Sequence, residues 1–236
     1  MGHLPRVLEP EVMDTETEAL DYDAMDHREV NMRFCDDLVA FAKAQNAPAP
    51  SRILDVGTGT ALIPIELSGR APSVVIDGID LAEHMLTLGR RNVTHAGLDG
   101  RIVLHRLDAK RTGFADASFS GVVSNSIVHH IPEPADVFAE MWRVVAPGGV
   151  LFVRDLFRPE SDVYAASLVQ KYAAPTPNAQ PTRVAMEDRQ RALFDASLRA
   201  ALTVDEVRSF VAPLGIVADA VQATSDRHWT LACTKA

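Results

Sequence analysis

Ile53-Leu54-Asp55-Val56-Gly57-Thr58-Gly59-Thr60-Ala61 is the stretch on which the fold turns. An apolar run gives way to two closely spaced glycines and then to a segment with helical spacing, which is how a buried strand reads when it enters a tight turn and opens a helix. Glycine lets a backbone approach a ligand closely, and the first turn of a helix presents N–H groups that lack partners. The turn departs from the nicotinamide-binding pattern, because the third glycine position falls on Leu62. It is not a P-loop either, since no Lys-Ser or Lys-Thr follows. Asp55 narrows the ligand further. A carboxylate beside the turn opposes a pyrophosphate and suits a cationic or zwitterionic ligand, whose ammonium it can meet directly or through water.

Outward from this turn, short apolar runs alternate with longer helical stretches, the pattern of βαβ units in a parallel sheet. Strands are expected at Arg52–Val56, Val74–Asp80, Arg101–Leu107, Phe119–Ser124 and Val150–Asp155. Helices are expected at Thr60–Arg70, with Pro64 tolerable only in the first turn, at Ala82–Ala96, stopped by Gly97, and at Ala135–Val145, stopped by Pro147-Gly148-Gly149. After Asp155 the alternation stalls. A helix-like stretch near Asp162–Ala173, a Pro-rich joint at Pro175–Pro181 and a second periodic stretch around Val184–Leu202 read as a helical cap. Thr203-Val204-Asp205-Glu206 then opens a helix as a capping box, and Gly215 closes it. Ile216–Ala223 and His228–Thr234, joined by Thr224-Ser225-Asp226, are expected to pair antiparallel. Ahead of the first strand, residues 1 to 13 are aperiodic, and residues 14 to 46 carry a helical pattern that puts Phe34, Leu38, Val39, Phe41 and Ala42 on one face.

The 236 residues are 47% hydrophobic, 23% charged and 6% aromatic, within the range of ordinary globular domains. A net charge of −9 repels phosphate backbones and anionic lipid, so neither nucleic acid nor a membrane is expected as a partner. Cys35 and Cys233 stand far apart without zinc-site spacing, and read as buried small hydrophobes. The opening Met1-Gly2-His3-Leu4-Pro5-Arg6 has no apolar signal core, and no apolar run of about 18 residues occurs. A cytoplasmic protein, monomeric or homodimeric, is the expectation.

Two further acids close strands. Asp80 ends the second, where a carboxylate at the carboxyl edge of the sheet can accept from both hydroxyls of a ribose, and Asp108, followed by Ala109, ends the third. Together with the Asp-x-Gly-x-Gly turn, these acids resemble the class I S-adenosylmethionine-dependent methyltransferases, of the type acting on small molecules. Ser124-Asn125-Ser126-Ile127-Val128-His129-His130-Ile131-Pro132 is similar to that family's segment after strand four, and Trp142-Arg143-Val144-Val145-Ala146-Pro147-Gly148-Gly149 to its passage into strand five. The resemblance implies a Rossmann-like, seven-stranded, mostly parallel sheet with helices on both faces, an antiparallel last strand, an N-terminal helical lid and a helical insertion after strand five. It divides the single domain into a lid (1–48), a cofactor-binding core (50–156), a cap (157–202) and a closing helix with its strand pair (203–236).

By the same resemblance, Asp55, Gly57, Thr58 and Gly59 hold the methionine part of S-adenosylmethionine, Asp80 the ribose, and Asp108 with Ala109 the adenine. Leu81 and Met85 are expected to pad the adenine, and Asn125 to border the same pocket. Ala61 replaces a glycine often found in the motif, with little expected consequence because alanine suits a helix. His129 and His130 are candidates for proton transfer, although neighbours in sequence do not easily point into one site; His130 is preferred, as a lining residue first and a base second. Tyr22, Met25 and Asn31 of the lid, with Asp155, Arg158 and Tyr172, are candidates for the acceptor pocket, Arg158 as a possible anchor for an acidic acceptor. No metal is expected. The function so implied is methyl transfer from S-adenosylmethionine to a small molecule, releasing S-adenosylhomocysteine. Alternatives are a cofactor-binding sensor or partner subunit without turnover, transfer to a protein, and aminopropyl transfer on the same fold.

Overall fold

The computed structural model describes residues 2–12, 14–177 and 180–236. Seven strands form one sheet in the order β3-β2-β1-β4-β5-β7-β6. They are β1 (Arg52–Val56), β2 (Val75–Asp80), β3 (Ile102–Arg106), β4 (Phe119–Asn125), β5 (Val145–Leu156), β6 (Val221–Ala223) and β7 (His228–Thr234). The central strands are parallel, and β7 runs antiparallel to both β5 and β6. β1 lies between β2 and β4, and its last four residues are buried, as an apolar run covered on both faces requires.

Helices cover both faces. On one, α5 (Pro134–Val144) and α8 (Val204–Val211) bury Val137, Phe138, Met141, Val207 and Val211 with Trp229 against the sheet. On the other, α2 (Arg28–Ala44) and α3 (Leu62–Arg70) bury Phe34, Cys35, Leu38 and Leu67. α4 (Glu83–His95) follows β2, while α6 (Asp162–Tyr172) and α7 (Pro181–Ala200) form the insertion after β5. The Thr203–Glu206 capping box is present, with the Thr203 side chain accepting from Glu206 N and the Glu206 side chain accepting from Thr203 N. No helix among the described residues is long and apolar enough to cross a membrane.

Several boundaries differ from the expectation, each for a local reason. Pro147-Gly148-Gly149 does not stop α5, which ends at Val144. It sits inside β5 as a bulge, so that the register jumps from Phe119 opposite Val145 to Gly121 opposite Val150. β6 keeps only three residues, because Ala218–Ala220 turn as a 3-10 helix before it. The helical pattern of residues 14 to 46 is broken at Ala24–His27 into α1 (Glu16–Asp23) and α2, α1 being opened by a Thr15–Glu18 capping box.

The aperiodic start is not loose. Leu4 N donates to Pro159 O and Val7 N to Arg199 O, while the Arg6 guanidinium donates to the carbonyls of Ala200, His129 and Ile131. Residues 4–12 thus form a strap across the carboxyl edge of the sheet, bonded to the insertion and to the turn after β4.

Ala61 overturns a specific expectation. It caps α3 at φ 64°, in the left-handed region where Cβ is costly, rather than lying within the helix. Its methyl is fully buried among Phe34 and its neighbours. Relief of about 1–2 kcal/mol of backbone strain in Ala61→Gly is offset by loss of about 0.8 kcal/mol of methyl burial and by the freer unfolded chain. The expected Tm change is under about 3 °C by calorimetry, and a large shift either way would contradict this balance.

Candidate active site

The ends of β1 to β4 meet at a cavity. Its floor is the glycine turn. Gly57 N and Thr58 N both donate to Ile79 O at 2.9 Å, and Gly59 N donates to Asp80 Oδ2 at 2.9 Å. Both glycines are left-handed, at φ 73° and 53°. A Cβ on Gly57 would stand 2.4 Å from the Ile127 side chain, so the close approach of these two segments requires glycine. Gly78 and Gly89 serve the same turn: a Cβ at Gly78 would strike the Thr58 side chain at 2.7 Å, and one at Gly89 would come within 3.3 Å of Gly59 O. Sequence reasoning missed both, since nothing in a strand glycine or a helix glycine names the loop that leans on it.

Gly57, Gly59, Asp80, Leu81, Met85, Asp108, Ala109, Asn125, His130 and Tyr22 all line the cavity. Asp80 Oδ1 accepts from Ala82 N at 2.9 Å, so one carboxylate ties the turn to the start of α4 and keeps its remaining lone pairs for a ligand. Asp108 Oδ1 accepts from Lys110 N at 2.8 Å, an Asx turn that aims the carboxylate. Asn125 Oδ1 is buried at the cavity without a partner, a cost that a bound donor would remove. Asp55 lies just below the lining, 2% exposed. Burial, with some help from the Asp80 charge and against the nearby Thr58 side chain, pushes its pKa up to about 7. Tyr22 stands over Gly59 and is pushed to about 12 by burial and by the charges of Asp80, Asp55 and Asp23. The floor is therefore electronegative, which favours a cationic guest.

Other expected residues fall elsewhere. Thr58 is buried beneath the turn, and Met25 and Asn31 do not reach the lining: Met25 sits in the break between α1 and α2, and Asn31 is buried in the first turn of α2. Asp155, 1% exposed, accepts from His129 N, from Leu156 N at 2.6 Å and from His129 Nδ1 at 2.6 Å. Arg158 is no acceptor anchor here. It is buried, and its guanidinium donates to Ala201 O and Glu206 Oε1, clasping the two ends of the insertion, where Phe157 also bridges to Leu202. Tyr172 lies on α6, its hydroxyl donating to Asp226 and its ring under Arg227, away from the cavity. Strand-end charges read alike in sequence whether they face a ligand or a neighbouring segment, and here the insertion supplies the partners.

The two histidine rings lie side by side on the 3-10 turn, their centroids 4.0 Å apart, but find different partners. His129 turns inward to Asp155; burial lowers its pKa, but the Asp155 charge and hydrogen bond and the Glu9 charge outweigh that and raise it overall. His130 lines the cavity, and burial and the His129 charge push its pKa to about 3, so at pH 7 it is neutral and a weak base. Glu11 and Val12 of the strap complete one wall with Ser126, Ile127 and Ile131. The strap was invisible in sequence because it has no periodicity; its placement comes from bonds to segments far along the chain.

Residues 54–153 match the family model described as a methyltransferase domain. A demethylmenaquinone methyltransferase of Deinococcus radiodurans is 38% identical over 120 residues, 51% of this chain and 49% of that protein. A phosphatidylethanolamine N-methyltransferase of Cereibacter sphaeroides is 36% identical over 115 residues, 49% of this chain and 55% of that one. The chain spans about half the length of the curated relatives it matches. A SAM-dependent methyltransferase from Aquifex aeolicus shares the fold, with a TM-score of 0.63, 16% identity, and coverage of 92% of this chain and 97% of that one. Residues 54–153 are thus similar to methyltransferase domains, and the sheet order and the glycine turn are those of a Rossmann-like fold shared with S-adenosylmethionine-dependent methyltransferase structures.

Proposed function

We propose that this protein transfers the methyl group of S-adenosylmethionine to a small-molecule acceptor bound in the same cavity. The observation that carries the reading is the joining, around one cavity, of a glycine turn whose backbone is open to close approach, the carboxylates of Asp80 and Asp108, and the unpartnered Asn125 Oδ1, with Asp55 just below the floor. These features fit the cofactor: Asp55 and the turn suit its ammonium and carboxylate, Asp80 its ribose, and Asp108, Leu81 and Met85 its adenine. When bound, the cofactor supplies a methyl group already activated by the positive sulfur. The work left to the chain is alignment and exclusion of water. The electronegative floor favours that positive charge, Tyr22 roofs the turn, and Glu11 and Val12 wall off solvent. Asn125, Ser126, His130 and Ile131 form the side left for the acceptor. The lining offers no strong base, which favours acceptors that attack without prior loss of a proton or that carry their own activation.

The two relatives named above bear different acceptors in their names at similar identity, so similarity to them does not by itself name the acceptor of this protein. Incubation with deuteromethyl-labelled S-adenosylmethionine and a fractionated metabolite extract, with a demethylated naphthoquinone as one defined acceptor, tests the reading by mass spectrometry. A labelled small product supports it and names the acceptor. Cofactor binding without any labelled small molecule would overturn it in favour of a sensor or a protein acceptor.

Asp80→Ala separates ligand from scaffold. It removes acceptors from Gly59 N and Ala82 N as well as from the ribose, so cofactor affinity should fall at least tenfold by calorimetry, and stability should fall by about 1–3 kcal/mol in urea melts. Unchanged affinity would remove Asp80 from the cofactor site.

A further inference from the structure

The sequence suggests no metal, because its histidines and carboxylates lack any ligand spacing; the fold creates a spacing of its own. The strap carries Glu9 to the 3-10 turn after β4, where Glu9 Oε2 lies 3.3 Å from His130 Nδ1 and 3.9 Å from His129 Nε2, and the three atoms all fall within 4.8 Å of one another. Two ligand atoms on a tetrahedral ion, each about 2.0–2.1 Å from it, stand about 3.3 Å apart. The Glu9–His130 separation is that of two such ligands, and the other separations lie within 4.8 Å, a small movement from it.

Two of the three atoms are orphans. Glu9 Oε2 and His130 Nδ1 are buried and have no hydrogen-bond partner, their mutual approach lacking the alignment of a hydrogen bond. The Glu9 side chain is itself nine-tenths buried. Its other oxygen receives only a long 3.4 Å hydrogen bond from Ser197 Oγ. Leaving such groups unsatisfied is costly, and a cation would satisfy both at once.

The third ligand is prepared from behind. His129 Nδ1 is held by Asp155 Oδ1 at 2.6 Å, and that carboxylate is itself fixed by the His129 and Leu156 N–H groups. An imidazole that donates from Nδ1 to a buried carboxylate presents the Nε2 lone pair, the carboxylate–histidine–metal arrangement that orients ligands and raises their basicity. Arg6 fixes the frame, bonding the carbonyls of His129 and Ile131 from the same strap that carries Glu9.

We propose that Glu9, His129 and His130 form a binding site for one divalent first-row transition-metal ion, zinc by the chemistry of two imidazoles and one carboxylate. Three protein ligands leave a coordination position open. His130 also lines the cavity, so the open position faces the acceptor side and suits an acceptor oxygen or nitrogen. That last role rests on the methyl-transfer reading; the metal site does not.

The test starts with protein stripped by chelator and dialysed, titrated with zinc sulfate. The expected result is one zinc per chain by calorimetry and elemental analysis, with a Tm rise of about 5–10 °C at a hundredfold excess over Kd. Glu9→Gln, which keeps the strap and its size, should weaken zinc at least tenfold, and His130→Asn likewise, each with a near wild-type Tm in chelator. Cobalt(II) in place of zinc should give the visible spectrum of a four- or five-coordinate nitrogen and oxygen site in wild type and not in Glu9→Gln. Binding of less than a tenth of an equivalent with no shift in Tm, or stoichiometric zinc that both variants retain, would overturn the proposal. Cofactor affinity measured on the same stripped and loaded samples keeps the two readings apart. Zinc without cofactor binding would defeat only methyl transfer, and cofactor without zinc binding would defeat only the metal site.

Discussion

Replacing Asp55 by asparagine is expected to make the ligand-free protein more stable and its cofactor binding weaker. The Asp55 carboxyl has a pKa near 7 in the fold against an ordinary 3.8, chiefly because burial disfavours its charge. The folded state therefore holds this proton more tightly than the unfolded chain, and stability falls as pH rises from about 4 to about 7, then levels. At 1.36 kcal/mol per unit the full penalty is about 4 kcal/mol above pH 7. A neutral isostere avoids it. At pH 8, Asp55→Asn should gain about 2–4 kcal/mol, or about 5–12 °C in Tm, and the gain should shrink toward zero near pH 4. Affinity for S-adenosylmethionine should move the other way, by about 10–100-fold, the loss of a charged hydrogen-bond partner. Binding near pH 6 to wild type should also release a proton, read as a buffer-dependent heat of calorimetry that the variant lacks. A variant less stable than wild type at pH 8 would show that Asp55 is held ionised by the fold and that this account of the floor is mistaken.

Gly57→Ala should damage both fold and site. The added methyl would stand 2.4–2.7 Å from Cδ1, Cγ2 and Cβ of Ile127, at a backbone φ of 73°. Overpacking costs about 1–3 kcal/mol and the left-handed backbone about 1–2 more. A Tm drop of about 5–15 °C is expected in thermal melts. Ile127 lines the cavity, so its displacement should also lower cofactor affinity. The clash and the strain separate in the double variant Gly57→Ala/Ile127→Ala, which removes the collision and leaves the backbone: it should recover part of the loss relative to the sum of the single variants. Strict additivity would mean that the two residues do not collide.

Much of the frame was legible because the residues that build it act locally. β1 to β4 are short runs built around Ile, Val, Leu and Phe, and their limits fall within a residue of the expected ones. The Thr203–Glu206 box and the left-handed Gly97 and Gly215 stop and start helices through bonds to their own neighbours. Local patterns failed where a distant segment set the outcome. Ala61 looked like an ordinary helical residue, and its left-handed φ comes from the pinning of the turn by Ile79 and Asp80. Pro147-Gly148-Gly149 looked like a helix stop, and it became a bulge because β4 must continue pairing past it. Arg158 and Asp155 looked like a site and are occupied by the insertion and by His129.

The sequence by itself determined the alternation of strands and helices, the glycine turn and the three carboxylates at strand ends, since burial patterns and backbone freedom are properties of short stretches of chain. Only the tertiary structure decided which charged groups find partners inside the protein and which remain for a ligand. Glu9 stands at the start of the chain and His129 and His130 lie past its middle, and no periodicity links them. Arg6, bonding three carbonyls from two distant elements, lays the strap that brings them together. Such a meeting is fixed by the geometry of the whole fold, because the energy of a buried polar atom depends on what surrounds it and not on what precedes it.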